Sequence, residues 1–155
     1  MKRALGYVVV VMFVAMASVV VFAQANPLLG TWKLNVAKSK YTGTPMPKEM
    51  TRTVEADGDS VKYTYAGTAA DGSPVSYGFT VKYDGKDYPM TGSAPGGSDM
   101  IAIKRVNANT YEATQKKGGK VAANTKVEIS KDGKVATITS KGTDSTSYVA
   151  VYDKQ

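Results

Sequence analysis

Six of the ten tyrosines, Tyr63, Tyr65, Tyr77, Tyr83, Tyr148 and Tyr152, fall on alternate positions that also carry the larger apolar residues, and Phe79 shares the parity of Tyr77. A phenol presents an apolar ring with a hydroxyl at its tip, which suits a pocket wall facing an amphiphilic or aromatic guest. The competing reading is that tyrosine is a good strand former that packs cross-strand pairs. These seven residues form the candidate ligand-binding set, with polar orientation supplied by tyrosine or threonine hydroxyls.

Reactive chemistry is sparse. The chain has no histidine, which removes the commonest general base and the usual catalytic-zinc ligand sets, and no cysteine, which removes thiol nucleophiles. No Gly-x-Ser-x-Gly elbow and no Ser-x-x-Lys pair occurs. The stretch "GSAPGGS" at 92–98 spaces glycines like a phosphate loop but puts Ser98 where a lysine is needed, and it joins strands rather than opening a helix. Asp57 with Asp59, and Asp84 with Asp87, flank turns and lack the ligand spacing of a calcium loop. The sequence therefore predicts no catalytic residues, no metal ligands and no cofactor. Lysines such as Lys82, Lys116, Lys120 and Lys134 are spread over exposed parities and turns, the pattern of a solvated sheet surface rather than a nucleic-acid footprint.

The elements that would position these tyrosines are strands. Asp57-Gly58, Asp71-Gly72, Asp84-Gly85 and Asp132-Gly133 are hairpin signals, since glycine accepts positive φ and aspartate bonds the backbone two residues on. Between turns the period is two. In "VSYGFTVKY" the positions Val75, Tyr77, Phe79, Val81 and Tyr83 share one parity; in "KVAANTKVEIS" Val121, Ala123, Thr125, Val127 and Ile129 do. Segments near 29–35, 50–56, 60–68, 99–106, 110–117, 134–141 and 146–153, with a short one at 86–91, read alike. Short links force antiparallel neighbours, and a long meander closes to remove its edges. The predicted fold is all-β: a single up-and-down antiparallel barrel of eight to ten strands, with a two-sheet sandwich as the alternative. Residues 36–50, carrying Pro45 and Pro47, read as an irregular loop across a mouth or along the wall, and 91–99 as a mobile lip.

Ahead of this domain stands a different text. Lys2 and Arg3 precede an apolar run over residues 4–22, and Ala23-Gln24-Ala25 offers a cleavage site. Residues 1–25 are read as a signal peptide and 26–155 as the barrel domain, which places the protein in the periplasm or outside the cell. The run is long for a signal h-region, so a retained anchor is the alternative, and the only route to a membrane contact. Cleavage removes Lys2 and Arg3 and lowers the formal charge from +7 to +5, a modest excess. Zero cysteines mean that no disulfide stabilises the domain.

"LLGTWKLN" at 28–35 and the closing "VAVYDKQ" together resemble the calycins, lipocalins and fatty-acid-binding proteins. In those families a Gly-x-Trp motif opens the first strand and a Tyr-acidic-Lys ending closes the last, which pairs with the first. Gly30-Thr31-Trp32 and Tyr152-Asp153-Lys154 match these ends. The resemblance implies a barrel whose closed end is stoppered by Trp32, with Gly30 and Leu34 as its companions. A large indole can fill that taper, provided its N–H finds a partner. Two departures stand out. Lipocalins stack a late-strand arginine on the tryptophan, where this chain has only Lys154 to offer. Fatty-acid-binding proteins carry an arginine two residues before the closing tyrosine to hold a carboxylate, where this chain has Ala150, and a helical lid where it has the proline-bearing loop. The charged half of that clamp is thus missing from the last strand.

The function expected from the sequence is an exported, noncatalytic, lipocalin-like monomer that binds a small hydrophobic or amphiphilic molecule inside the barrel, with no nucleic-acid partner. The alternative is an interaction module with a filled barrel and no small ligand. A third reading, a hydrolase or isomerase using carboxylates and tyrosine, has the least support.

Overall fold

The structure is a computed structural model and describes residues 26–155; the leader read over residues 1–25 lies outside the described residues. Eleven strands follow in order: β1 (Gly30–Leu34), β2 (Lys40–Thr42), β3 (Glu49–Asp57), β4 (Ser60–Thr68), β5 (Pro74–Val81), β6 (Asp84–Gly92), β7 (Met100–Arg105), β8 (Thr110–Lys117), β9 (Lys120–Ile129), β10 (Val135–Gly142) and β11 (Ser147–Lys154). Each strand from β3 to β11 pairs antiparallel with the next, and β1 pairs with both β3 and β11, closing the ring. β2 also lies on β11, beyond a single 3-10 turn at Val36–Lys38, so β1 and β2 are one broken strand position. The result is a closed ten-position antiparallel barrel.

Residues 36–50 therefore differ from the expected loop. The first half is a strand continuation, because Asn35 caps the 3-10 turn by accepting from Lys38 N–H at 3.1 Å, and the Ser39 hydroxyl accepts from Val151 N–H at 2.9 Å. Only 43–48 is loop. Alternation decides the interior: Met50, Arg52 and Val54 on β3, Tyr63 and Tyr65 on β4, and Tyr148, Ala150 and Tyr152 on β11 have one side-chain orientation. Val121 departs from its predicted parity. A register irregularity opposite Gln115 and Lys116 adds a residue to β9, so Val121 turns outward and is 44% exposed.

The two ends differ. At one, Asp71 accepts from Ser73 N–H at 2.9 Å and Asp144 from Thr146 N–H at 3.2 Å, tightening turns that ring a mouth. At the other, the segment 26–29 crosses the barrel floor. Trp32 is fully buried there, and its indole N–H donates to the Leu28 carbonyl at 2.8 Å. Lys154 Nζ lies 5.0 Å from the centre of the indole ring, the position for which arginine was missing. Gly30 is required beside it: its φ is +122°, and a Cβ would stand 3.0 Å from Lys154 Cε.

Candidate functional site

Above the Trp32 plug the interior is not filled. A cavity of about 430 Å³ runs from the floor to the loops at 43–48, 69–73 and 93–98. Of the seven candidate residues, Tyr63, Tyr65, Tyr77, Phe79, Tyr148 and Tyr152 line it. Tyr83 does not: β5 ends at Val81, and the chain turns toward the closed end, where the Tyr83 hydroxyl sits 2.7 Å from the Tyr63 hydroxyl. Cross-strand register makes stacks of the rings. Tyr65 and Tyr77 are partners across β4–β5, with centroids 4.4 Å apart, Tyr63 and Phe79 lie 4.8 Å apart, and Tyr41 meets Tyr148 at 5.0 Å. Packing and pocket lining are thus served by the same side chains.

The sequence reading passed over Arg52. It is the register partner of Trp32 across β1–β3 and of Tyr65 across β3–β4, so it stands beside the plug at the cavity wall, 2% exposed. Its Cζ lies 5.2 Å from the Tyr63 ring centroid and 5.9 Å from that of Tyr65. Its Nε and Nη1 are buried without a hydrogen-bond partner, and none of the ion pairs among the described residues includes it. A guanidinium cannot shed its proton to escape this setting. Burial works against its charge, and the oxygens of Tyr65, Tyr63, Tyr152 and Tyr83 around it would offset that in full only if those phenols were ionised.

Those oxygens bring partial charge only. Burial pushes the phenols of Tyr63, Tyr65 and Tyr77 above their ordinary range, and that of Tyr148 to about 12. They are neutral hydroxyls at any physiological pH. The single carboxylate among the lining residues, Asp71, is exposed at the mouth and engaged with Ser73. One formal positive charge therefore faces an apolar, aromatic cavity with no counter-charge. The missing charge on β11 is real, since Ala150 lines the wall at that point, but β3, next but one along the wall beyond β1, supplies one. The signal was present in the sequence: a charged residue between Met50 and Val54 on an apolar parity is costly unless it has a task. Met50, Ile101, Ile103, Gln115, Thr125 and Ile138 also line the cavity and were likewise not singled out as site residues.

No family profile and no curated protein matches the sequence. Solved structures do match it in shape. A protein described as the REP1-NXSQ fatty acid transporter aligns with a TM-score of 0.58 at 16% identity, over 83% of this chain and 96% of that one. The Schistosoma mansoni fatty acid binding protein in complex with arachidonic acid gives a TM-score of 0.58 at 16% identity, over 85% and 98%. The fluorescent protein UnaG gives 0.56 at 17% identity, over 83% and 97%. At these identities the likeness is one of fold: this chain shares with those proteins a closed antiparallel up-and-down barrel, here without an α-helix among its described residues.

Proposed function

We propose that this protein is an exported, noncatalytic binder of an amphiphilic anion, whose head group is drawn to Arg52 and whose apolar part lies among the stacked tyrosines. The observation that carries this reading is the unpaired, buried guanidinium in the wall of an otherwise apolar cavity. An isolated buried charge costs several kcal/mol, and an anionic guest would remove most of that cost on binding. Tyr63, Tyr65, Tyr77, Phe79, Tyr148 and Tyr152 serve as the ring-lined wall, and Gly30, Trp32 and Leu34 as the floor.

The cavity exceeds the ~300 Å³ at which small-molecule pockets begin, which favours a ligand over the filled interaction module. Fold neighbours described as a fatty acid transporter and a fatty acid binding protein are consistent with that choice. The leader over residues 1–25 supports export, with periplasm or extracellular space as the site of action. A titration panel of matched pairs tests the chemistry: medium- and long-chain carboxylates, the corresponding alcohols and the corresponding amines. Carboxylates should bind at least about tenfold more tightly than alcohols, the ratio worth ~1.4 kcal/mol. Equal binding of all three classes, or none, would sink the anion reading. Intact mass of protein recovered from its native compartment tests cleavage before Asn26.

A further inference from the structure

The stacked rings leave their tips to the guest. Tyr65 and Tyr77 are register partners whose rings lie 8° from parallel. Tyr65 also meets Phe79, with centroids 6.2 Å apart, and the Arg52 guanidinium, so these ring faces are largely spent on one another. Tyr41 and Tyr148 stack in the same way, 13° from parallel. What such pairs offer the interior is their hydroxyls.

Hydrogen bonds within the chain account for several phenols: Tyr63 with Tyr83, Tyr111 with Asn26, and Tyr88 with Asp84. Among the described residues none reaches the hydroxyls of Tyr41, Tyr65, Tyr77 or Tyr152, although all four side chains line the cavity. Tyr65 and Tyr152 are only 9% and 4% exposed. Among the described residues, the side-chain polar atoms that are both sealed from open space and without a partner are Nε and Nη1 of Arg52 alone. The unpartnered hydroxyls therefore touch open space, and for side chains this buried that space is the cavity. Burial, and then the oxygens of Tyr65, Tyr148, Tyr152 and Tyr41, push the Tyr77 phenol up; burial, then Tyr65 and Tyr41, do the same to Tyr152. The tips thus gather in one region of the interior.

We propose that the hydroxyls of Tyr41, Tyr65, Tyr77 and Tyr152 form a second polar subsite, which receives an uncharged oxygen, a hydroxyl or a keto group, on the body of the guest. This rests on the reading of Arg52 given above and narrows it: the guest is an oxygenated amphiphilic anion rather than a plain alkyl one. The oxygen is uncharged because Arg52 is the one cation among the lining residues and the head group uses it. A second anionic group would meet only neutral phenols, and a cationic one would share the cavity with the guanidinium. A phenol both donates and accepts, so it serves either oxygen function. In a wholly apolar cavity a hydroxyl on the guest would lose its water and gain nothing. Here it exchanges water for phenols, and a guest that lacks it leaves those phenols unpaired, which is a strong source of discrimination.

Delipidated protein, titrated calorimetrically with decanoate and with decanoates bearing one hydroxyl or keto group at the third, sixth or ninth carbon, decides it. At the best position the oxygen should tighten binding about 10-fold, whereas an apolar wall would weaken every substituted chain. Tyr65→Phe/Tyr77→Phe keeps both rings and should lose most of that gain while moving decanoate itself by less than about 3-fold. Arg52→Gln should lose the advantage of decanoate over decanol and keep the advantage of the oxygenated chain. If no substituted chain binds more tightly than decanoate, or if the gain survives unchanged both in that double variant and in Tyr41→Phe/Tyr152→Phe, the subsite is overturned and the Arg52 reading stands. If decanol binds as tightly as decanoate while an oxygenated chain still gains, the Arg52 reading falls and the subsite stands. Should the double variants not fold, the wild-type panel decides alone, by the sign of the substituent effect.

Discussion

Replacing Arg52 by methionine should make the ligand-free protein more stable while depriving it of its preference for anions. Taking an ion out of water costs several kcal/mol even after relaxation. Here the offsetting contacts are two ring faces, at 5.2 and 5.9 Å, each worth ~1–2 kcal/mol when desolvated. No carboxylate and no hydrogen bond to Nε or Nη1 adds to them. Methionine has a similar length, no charge and the flexibility to fill the same slot between Tyr63 and Tyr65. The net gain should be about 1–3 kcal/mol, within the range seen when buried ions give way to apolar residues. In a domain of this size that corresponds to roughly 4 °C per kcal/mol. Urea unfolding of delipidated protein, followed by the fluorescence of buried Trp32, is the assay: the midpoint should rise with an unchanged slope. Adding decanoate should raise the midpoint of wild type and leave that of Arg52→Met nearly where it was. A delipidated Arg52→Met variant less stable than wild type would mean that the guanidinium is already compensated, and the case for an anionic guest would fail with it.

Trp32→Ala, which removes the one tryptophan, should cost about 3–5 kcal/mol in urea unfolding followed by circular dichroism, since it leaves a void under the cavity floor and orphans the Leu28 carbonyl. Gly30→Ala should cost about 1–3 kcal/mol, because φ of +122° strains any side chain and Lys154 Cε occupies the space a Cβ needs; Lys154→Ala in the same chain should recover only the steric part. Carboxylate binding should weaken as pH falls through the ligand's own pKa, near ~4–5, because Arg52 keeps its charge and the guest loses its own; calorimetry across acidic buffers reads this, and a flat profile contradicts it. At the alkaline end the tyrosines govern stability. Their folded-state values lie above the ordinary 10, about 12 for Tyr111 and Tyr148, and return to it on unfolding. Stability is then intact below pH 10 and falls as pH rises toward 12, with phenolate absorbance appearing together with loss of the β signal rather than before it.

Turn chemistry and period-two alternation were enough to determine ten of the eleven strands, their antiparallel sense and most of the inward faces, because those depend on neighbours in the chain. Asp57-Gly58, Asp71-Gly72 and Asp132-Gly133 do sit at turns, whereas Asp84-Gly85 opens strand β6 after a turn at 82–83, and side-chain parity follows from the pleat. Gly30, Trp32 and the closing Tyr152-Asp153-Lys154 likewise marked the two strands that meet, and β1 does pair with β11. Local text could not reveal the break that makes β2 out of a supposed loop, since β2 exists only because Val149 and its neighbours on β11 offer it hydrogen-bonding partners. Nor could it foresee the bulge in β9 that turns Val121 outward, which depends on the pairing with Gln115 and Lys116. The site shows the same division. Six of the seven aromatic candidates lie on the cavity wall because parity alone puts them inside. Tyr83 falls below it because a turn intervenes, and Arg52 becomes the one bare charge because curling the sheet brings four phenols and no carboxylate around it. Whether an inward charge is paired is settled only when strands far apart in sequence face one another across the barrel.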